Sequence, residues 1–209
     1  MSQDVFSEGF WDERYGADER VWSGQVNPQL VDRVTGMRPG RALEVGAGEG
    51  ADAIWLARQG WQVTAFDVSQ VALDKAAAHA VEAGVADRIT WQRVDLSTWT
   101  GEPPTYDLVS AQFMYLDQPA LSRLYRQLGA AVAPGGTLLL VGHHPVDERH
   151  GSHDFPDVRW TPEEAAGWLD PADWTTIDVA TVQRQGRAGS SHSSTVHDGI
   201  VQAVKAAAK

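Results

Sequence analysis

The sequence predicts an α/β fold, an open doubly wound sheet with helices on both faces, and three observations predict it. Short apolar runs alternate with stretches whose apolar residues keep helical spacing. A glycine-rich turn, Gly46-Ala47-Gly48-Glu49-Gly50, joins the first run to the helical stretch that follows it. The second run, Trp61 to Phe66, closes on Asp67. Strand, glycine turn, helix and strand ending in an acid form the first half of a nucleotide-binding βαβ unit.

Each part has a physical reason. Ala42, Leu43 and Val45 form a short apolar run bounded by turn residues, as a buried strand requires. Glycines without a Cβ allow a sharp turn and let a ligand approach the backbone. Ala53, Ile54, Leu56 and Ala57 place an apolar stripe on the next helix, whose first N–H groups are left unpaired. Asp67 lies about 20 residues past Gly46, the distance at which an acid meets ribose hydroxyls. A nucleoside-like cofactor is therefore expected; the alternative is a tight strand-to-helix turn that holds no ligand.

The glycine spacing narrows the cofactor. A dinucleotide site has G-x-G-x-x-G, whereas this chain has Glu44-x-Gly46-x-Gly48-x-Gly50, with Glu49 placed to repel a pyrophosphate. This pattern resembles motif I of the class I S-adenosylmethionine (SAM) methyltransferases. The resemblance implies a Rossmann-like seven-stranded sheet with a reversed last strand. It also implies SAM as cofactor and S-adenosylhomocysteine as product. Glu44, Gly46, Ala47, Gly48 and Gly50 then match the loop under the methionyl part, and Asp67, with Val68 beside it, matches the ribose acid.

Composition limits the partners. The 209 residues suit one domain, 1–209, with 1–28 as an N-terminal lid segment. No apolar run approaches the roughly 20 residues that span a bilayer, and MSQDVFSEGF has neither the basic nor the apolar part of a signal peptide. A cytoplasmic protein that meets no membrane is expected. The net charge of −11, from 17 Lys+Arg against 28 Asp+Glu, argues against nucleic acid as partner. A small-molecule methyl acceptor fits better, with the protein a monomer or homodimer. The absence of cysteine excludes a thiolate metal site and a cysteine nucleophile.

In chain order, Phe6, Phe10 and Trp11 hint at a short amphipathic helix ahead of the sheet. The stretch WDERY…WSG…NP resembles the N-terminus of small bacterial methyltransferases of the tellurite-resistance and thiopurine group, where it folds over the cofactor. Tyr15 and Trp22 are accordingly expected at the cofactor, with cation–π attraction for a sulfonium, and Trp11 at the substrate. Leu30 to Thr35 is helical, and Ser69 caps a helix from Gln70 to Ala83. The third strand, Ile89 to Val94, leads to Asp95 and Leu96, which match the family's adenine-contacting position; the other reading of Asp95 is a turn aspartate. Tyr106 to Gln112 is the fourth strand. Gln112, Phe113 and Met114 at its carboxyl end should border the methionyl group, the transferred methyl and the substrate.

A helix from Leu121 to Val132 and the turn Pro134-Gly135-Gly136 precede the fifth strand, Thr137 to Val141. His143 and His144 follow, and one of them is expected to face the pocket as a general base. With His150, His153, Asp147 and Asp154 they invite a metal reading, but the spacing matches no ligand motif and no metal is assigned. Thr161 caps a helix through Leu169, and Trp174 to Val182 is the sixth strand. Gln183 to Ser194 is a Gly/Ser-rich connection that reads first as a mobile solvated loop; the other reading has Arg184, Arg187 and His192 contact an anionic substrate from it. Thr195 to Ala206 returns as the last strand.

The reaction implied is in-line SN2 transfer of a methyl to a heteroatom (S, O, N, or a chalcogen or halide) of a small molecule, driven largely by positioning. Three alternatives remain at this level. They are a SAM-binding regulator without catalysis, an NAD(P)-dependent oxidoreductase, and a nucleic-acid or protein methyltransferase. The last lacks the Pro-Pro-aromatic motif of amino-directed DNA enzymes, since AQFM stands there.

Overall fold

The computed structural model describes residues 7–147, 158–185 and 195–207. Its helices begin where the sequence supplies caps. Ser7 caps α1 (Glu8–Ala17), and Asn27 with Pro28 opens α2 (Pro28–Val34). Gly50, in the left-handed conformation, opens α3 (Ala51–Arg58), and Ser69 caps α4 (Gln70–Glu82). Asp117 caps α5 (Gln118–Ala131). Thr161 and Glu164 form a reciprocal capping box on α6 (Pro162–Gly167).

Seven strands build one sheet: β1 (Arg41–Val45), β2 (Gln62–Asp67), β3 (Ile89–Arg93), β4 (Tyr106–Gln112), β5 (Val132–His143), β6 (Trp174–Gln185) and β7 (Thr195–Lys205). Their order is β3-β2-β1-β4-β5-β7-β6. The first five are parallel, and β7 runs antiparallel to both β5 and β6. Strand order therefore reverses between β1 and β4, and the crevice above their carboxyl ends is the switch point where ligands of open sheets bind. One apolar cluster joins Leu30, Val34, Ile54, Leu56 and Ala80 of α2, α3 and α4 to the sheet. A second joins Leu121, Leu124 and Leu128 of α5 to Trp160 and α6. The doubly wound sheet with the reversed last strand is thus as expected.

Several boundaries move. β5 begins at Val132 and reaches His143, because the Pro-Gly-Gly segment stays in the ladder beside β4 with a register shift. β6 extends past Val182 to Gln185, pairing Arg184 with Val196 and Gln185 with Thr195. Arg184 is therefore a strand residue and not part of the loop in which the sequence placed it. The polar side chains of VQRQ hid this strand, since hydrophobic pattern is blind to a half-exposed ladder. α6 stops at Gly167, short of Leu169.

Trp160 is held where β5 and β7 face each other through glycines. Gly142 pairs with Gly199, and a Cβ on Gly142 would lie 2.6 Å from the Trp160 ring. That ring is 1% exposed and meets Tyr125 edge-on at 6.0 Å. Gly142→Ala should therefore destabilise the fold by about 1–3 kcal/mol through overpacking. Gly199→Ala, whose Cβ would find 3.3 Å of room, should cost less. Denaturant unfolding of the two variants checks the order.

Candidate cofactor and acceptor site

The glycine loop is held by the end of β2. The N–H groups of Gly46 and Ala47 both donate to the Phe66 carbonyl at 2.9 Å. Gly48 donates to Asp67 Oδ2 at 2.7 Å, and Ser69 N–H donates to Oδ1 at 2.9 Å. Burial pushes the Asp67 carboxyl up, opposed by these backbone bonds. Each of its oxygens keeps a further lone pair for a ribose hydroxyl. Gly46 and Gly48 have φ of 74° and 51°, and only side chains approach them. A Cβ on Gly46 would fall 2.8 Å from the Met114 sulfur, and one on Gly48 would fall 2.9 Å from the Tyr15 hydroxyl. Gly50 differs: its Cβ would strike Trp91 at 2.8 Å and Ala76 at 2.9 Å. Its smallness packs the start of α3 against α4 and β3.

Glu44 is buried in β1 beside Ser110 of β4 and the charge of Asp52 on α3. Its Oε2 has no partner. Gln112 donates from Nε2 to Ser110 Oγ at 2.8 Å, which leaves Gln112 Oε1 buried and also unpartnered. Register and strand alternation put Glu44, Ser110 and Gln112 on one face of the sheet, running toward the switch point. Two orphan acceptors call for a donor, since an unsatisfied buried oxygen costs about 1–3 kcal/mol. A methionyl ammonium is a donor of that kind. The Cβ-free loop, the ribose acid and these acceptors fit S-adenosylmethionine.

The N-terminal segment lies over the loop. Trp22 Nε1 donates to the Tyr15 hydroxyl at 2.8 Å, and the Arg14 guanidinium lies 5.6 Å from the Trp22 ring centre. Burial and the Asp67 charge push the Tyr15 hydroxyl up, so it stays neutral. Trp11 is buried among Phe10, Tyr15 and Tyr115, at 5.4, 6.0 and 5.5 Å between rings. It is thus the packing centre of this segment.

Sequence reasoning missed what fastens the segment. Glu49 does not point at a ligand: its carboxylate accepts from the N–H groups of Val21 (3.1 Å) and Trp22 (3.0 Å) and lies 3.7 Å from Lys75 Nζ. Lys75 also donates to the carbonyls of Tyr15 (2.6 Å) and Asp18 (2.5 Å) at the end of α1, where a cation also suits the helix dipole. The signal available was an acid inside a glycine loop. Its reading as a repeller of phosphate took the side chain to face inward.

The remaining expected contacts separate. Val68 is half-buried, in the cluster formed by Trp11 and Tyr15. Leu96 is buried, while Asp95 is exposed and accepts from the Ser97 N–H (2.9 Å) and hydroxyl (2.6 Å), forming a turn at the edge of the crevice. At the end of β4, Phe113 has φ 51°, the one positive φ among the described residues other than glycine. Its N–H donates to Val141 at 2.8 Å, and its ring lies 4.5 Å from the His143 ring, tilted by 34°. Burial holds the His143 imidazole below its usual range. The Arg184 guanidinium lies 5.8 Å from the Phe113 ring centre, with Nε 2.6 Å from Asp198 Oδ2.

His144 is committed elsewhere. Its Nδ1 accepts from Val146 N–H at 3.1 Å, and its own N–H donates to His197 O at 3.0 Å. Of the histidine pair, His143 is the one whose ring stacks on Phe113. Arg187, His150, His153, Asp154 and His192 lie outside the described residues.

Two predictions follow from these contacts. Glu49→Ala should speed hydrogen exchange at the Val21 and Trp22 amides and weaken SAM binding roughly tenfold through lost preorganisation; exchange mass spectrometry and calorimetry check it. The second concerns Glu44 and Asp52. Burial raises both, Asp52 to about 6 and Glu44 well above its ordinary range, so the folded state binds more protons than the unfolded chain from about pH 4 up through these raised values. Stability contributed by these groups is then highest below that window and falls as pH rises through it. Glu44→Gln should raise Tm at pH 7 by roughly 2–4 °C, with the gain vanishing below about pH 4, as thermal melts across pH would show.

Comparison with known proteins agrees with this geometry. A methyltransferase-domain model matches residues 42–136, from β1 to the start of β5. The chain is 30% identical over 137 residues to 27-O-demethylrifamycin SV methyltransferase of Amycolatopsis mediterranei, covering 63% of this chain and 48% of that protein. It is 28% identical over 222 residues to 2-heptyl-1-hydroxyquinolin-4(1H)-one methyltransferase of Mycobacteroides abscessus, covering 82% and 95%. The chain thus spans about half the length of the first relative and nearly all of the second. TehB from Haemophilus influenzae shares the fold with a TM-score of 0.68 at 15% identity, over 95% of this chain and 66% of that one. These matches favour the methyltransferase reading over the oxidoreductase one. Residues 42–136 thus match a methyltransferase domain, and the reversed seventh strand and the glycine loop extend that resemblance to the S-adenosylmethionine-dependent methyltransferases across the sheet.

Proposed function

We propose that the protein transfers the methyl of SAM to a heteroatom of a small, flat acceptor seated against Phe113, with His143 taking the acceptor's proton. The observation that carries this is the Phe113–His143 stack at the carboxyl ends of β4 and β5, where the switch point opens. When bound, SAM supplies a methyl on a sulfonium whose leaving group is a neutral thioether. Gly46, Ala47 and Gly48 offer it backbone, Asp67 the ribose acceptor, and Gln112 and Glu44 acceptors for its ammonium. Tyr15, Trp22 and the rest of 1–28 act as the lid that keeps water out, clamped by Glu49 and Lys75.

His143 suits a base. Its burial favours the neutral imidazole, which at neutral pH has a free lone pair for a phenol, hydroxylamine or heterocyclic N–H. A thiolate needs no such help. The relative named for a 1-hydroxyquinolinone supports an N–OH or phenolic acceptor, and the acidic surface supports a small molecule over nucleic acid. Labelled SAM should be incubated with panels of N-hydroxy heterocycles, phenols and thiols. His143→Gln is expected to lower kcat on the protonated acceptors by roughly 10²–10³ and to leave thiolate transfer and SAM affinity nearly unchanged. Equal activity on every acceptor would remove His143 from the chemistry.

A further inference from the structure

Asp198 is fully buried, and one of its two oxygens is spoken for. Oδ2 takes Arg184 Nε at 2.6 Å, while Oδ1 is enclosed and has no hydrogen-bond partner. A buried carboxylate oxygen in that condition is expensive, and such groups cluster where a site needs them. The register shows what lies opposite. His143 on β5 pairs directly with Asp198 on β7, and the adjoining pair, His144 with His197, carries the backbone bond. His143 and Asp198 are therefore a non-hydrogen-bonded pair, the kind whose Cα atoms approach to about 4.5 Å with side chains on the same face.

We propose that Asp198 is a positioning residue for His143: its free Oδ1 receives the imidazole N–H, fixes the ring's tautomer, and balances the imidazolium formed when His143 takes the acceptor's proton. Arg184 pairs with Asp198 and lies near Phe113, so that one partly buried ion pair supports both the base and the ring on which the acceptor rests. The proposal rests on His143 as the base.

The proton account is simple. The acceptor's X–H bond gives its proton to one ring nitrogen while X forms its bond to the methyl carbon, and the other ring nitrogen keeps its proton, directed at Asp198. Asp198 stays a carboxylate throughout. Other charges also face His143: Asp147, itself bonded to His197 Nδ1 at 2.6 Å, favours the imidazolium, while Arg184 and Arg159 disfavour it. Asp198 is the largest of these charges in its effect on the ring.

The test is nuclear magnetic resonance titration of the His143 ring in the whole protein, with the signal assigned through His143→Gln. Asp198→Asn should lower the His143 midpoint by roughly one pH unit and change its tautomer ratio. The acid limb of the kcat/KM profile should move with it, while SAM affinity holds. Should Asp198→Asn fail to fold, Arg184→Gln leaves Asp198 in place without its cation, and the His143 midpoint should then rise by a similar amount. A midpoint and tautomer unchanged in whichever variant folds, with only Tm lowered, would overturn the proposal. A shifted midpoint alongside full activity of His143→Gln would uphold the pairing and reject the base.

Discussion

The bond from Gly48 N–H to the Asp67 carboxylate, with the paired bonds from Gly46 and Ala47 to the Phe66 carbonyl, ties the cofactor loop to the end of β2. Three consecutive donors in a loop of positive-φ glycines have no partners within the loop itself. Meeting them with one strand end stops the loop from collapsing into the crevice and aims Asp67 at the place where a ribose would lie. Other features depend on this bond. The turn it enforces sends Glu49 outward to bind Val21 and Trp22, and it sets Gly50 against Ala76 and Trp91 at the head of α3.

Charge in this acidic chain is used locally. Lys75 gathers three carbonyls at the end of α1 and approaches Glu49, so one cation fastens the lid to α4. Arg184 and Asp198 form the corresponding pair on the acceptor side. Buried pairs of this kind add little net stability against an apolar replacement. Their retention next to an exposed crevice is better understood as fixing direction. The two carboxyls beneath the loop, Glu44 and Asp52, go the other way: they repel each other and are raised by burial, a cost in stability located at the cofactor end of the sheet.

The acceptor side joins strain and aromatic packing. Phe113 holds a left-handed backbone that a bulky residue adopts at a cost of about 1–3 kcal/mol, and the bond to Val141 together with the His143 stack maintains it. That conformation turns the chain sharply off β4, so that Phe113 packs beside β5 while Met114 covers Gly46. Cofactor and acceptor surfaces thus come from neighbouring residues of one strand end.

By itself the sequence determined the sheet, its glycine loop and the ribose acid, because these depend on local pattern: apolar runs, a Cβ-free turn, and an acid at a fixed distance along the chain. It also determined two helix starts, since Ser69 and Thr161 cap their own backbones. The tertiary structure alone decided which of two adjacent histidines stacks on Phe113, where Glu49 points, and that Arg184 sits on a strand against Asp198. It also set Trp11 among the aromatics of the N-terminal segment and Gly50 against Ala76 and Trp91. Those outcomes depend on partners distant in the chain, such as Asp198, 14 positions from Arg184, and Val21, 28 positions from Glu49. A side chain's direction across that span is set by register and burial, which hydrophobic period does not encode.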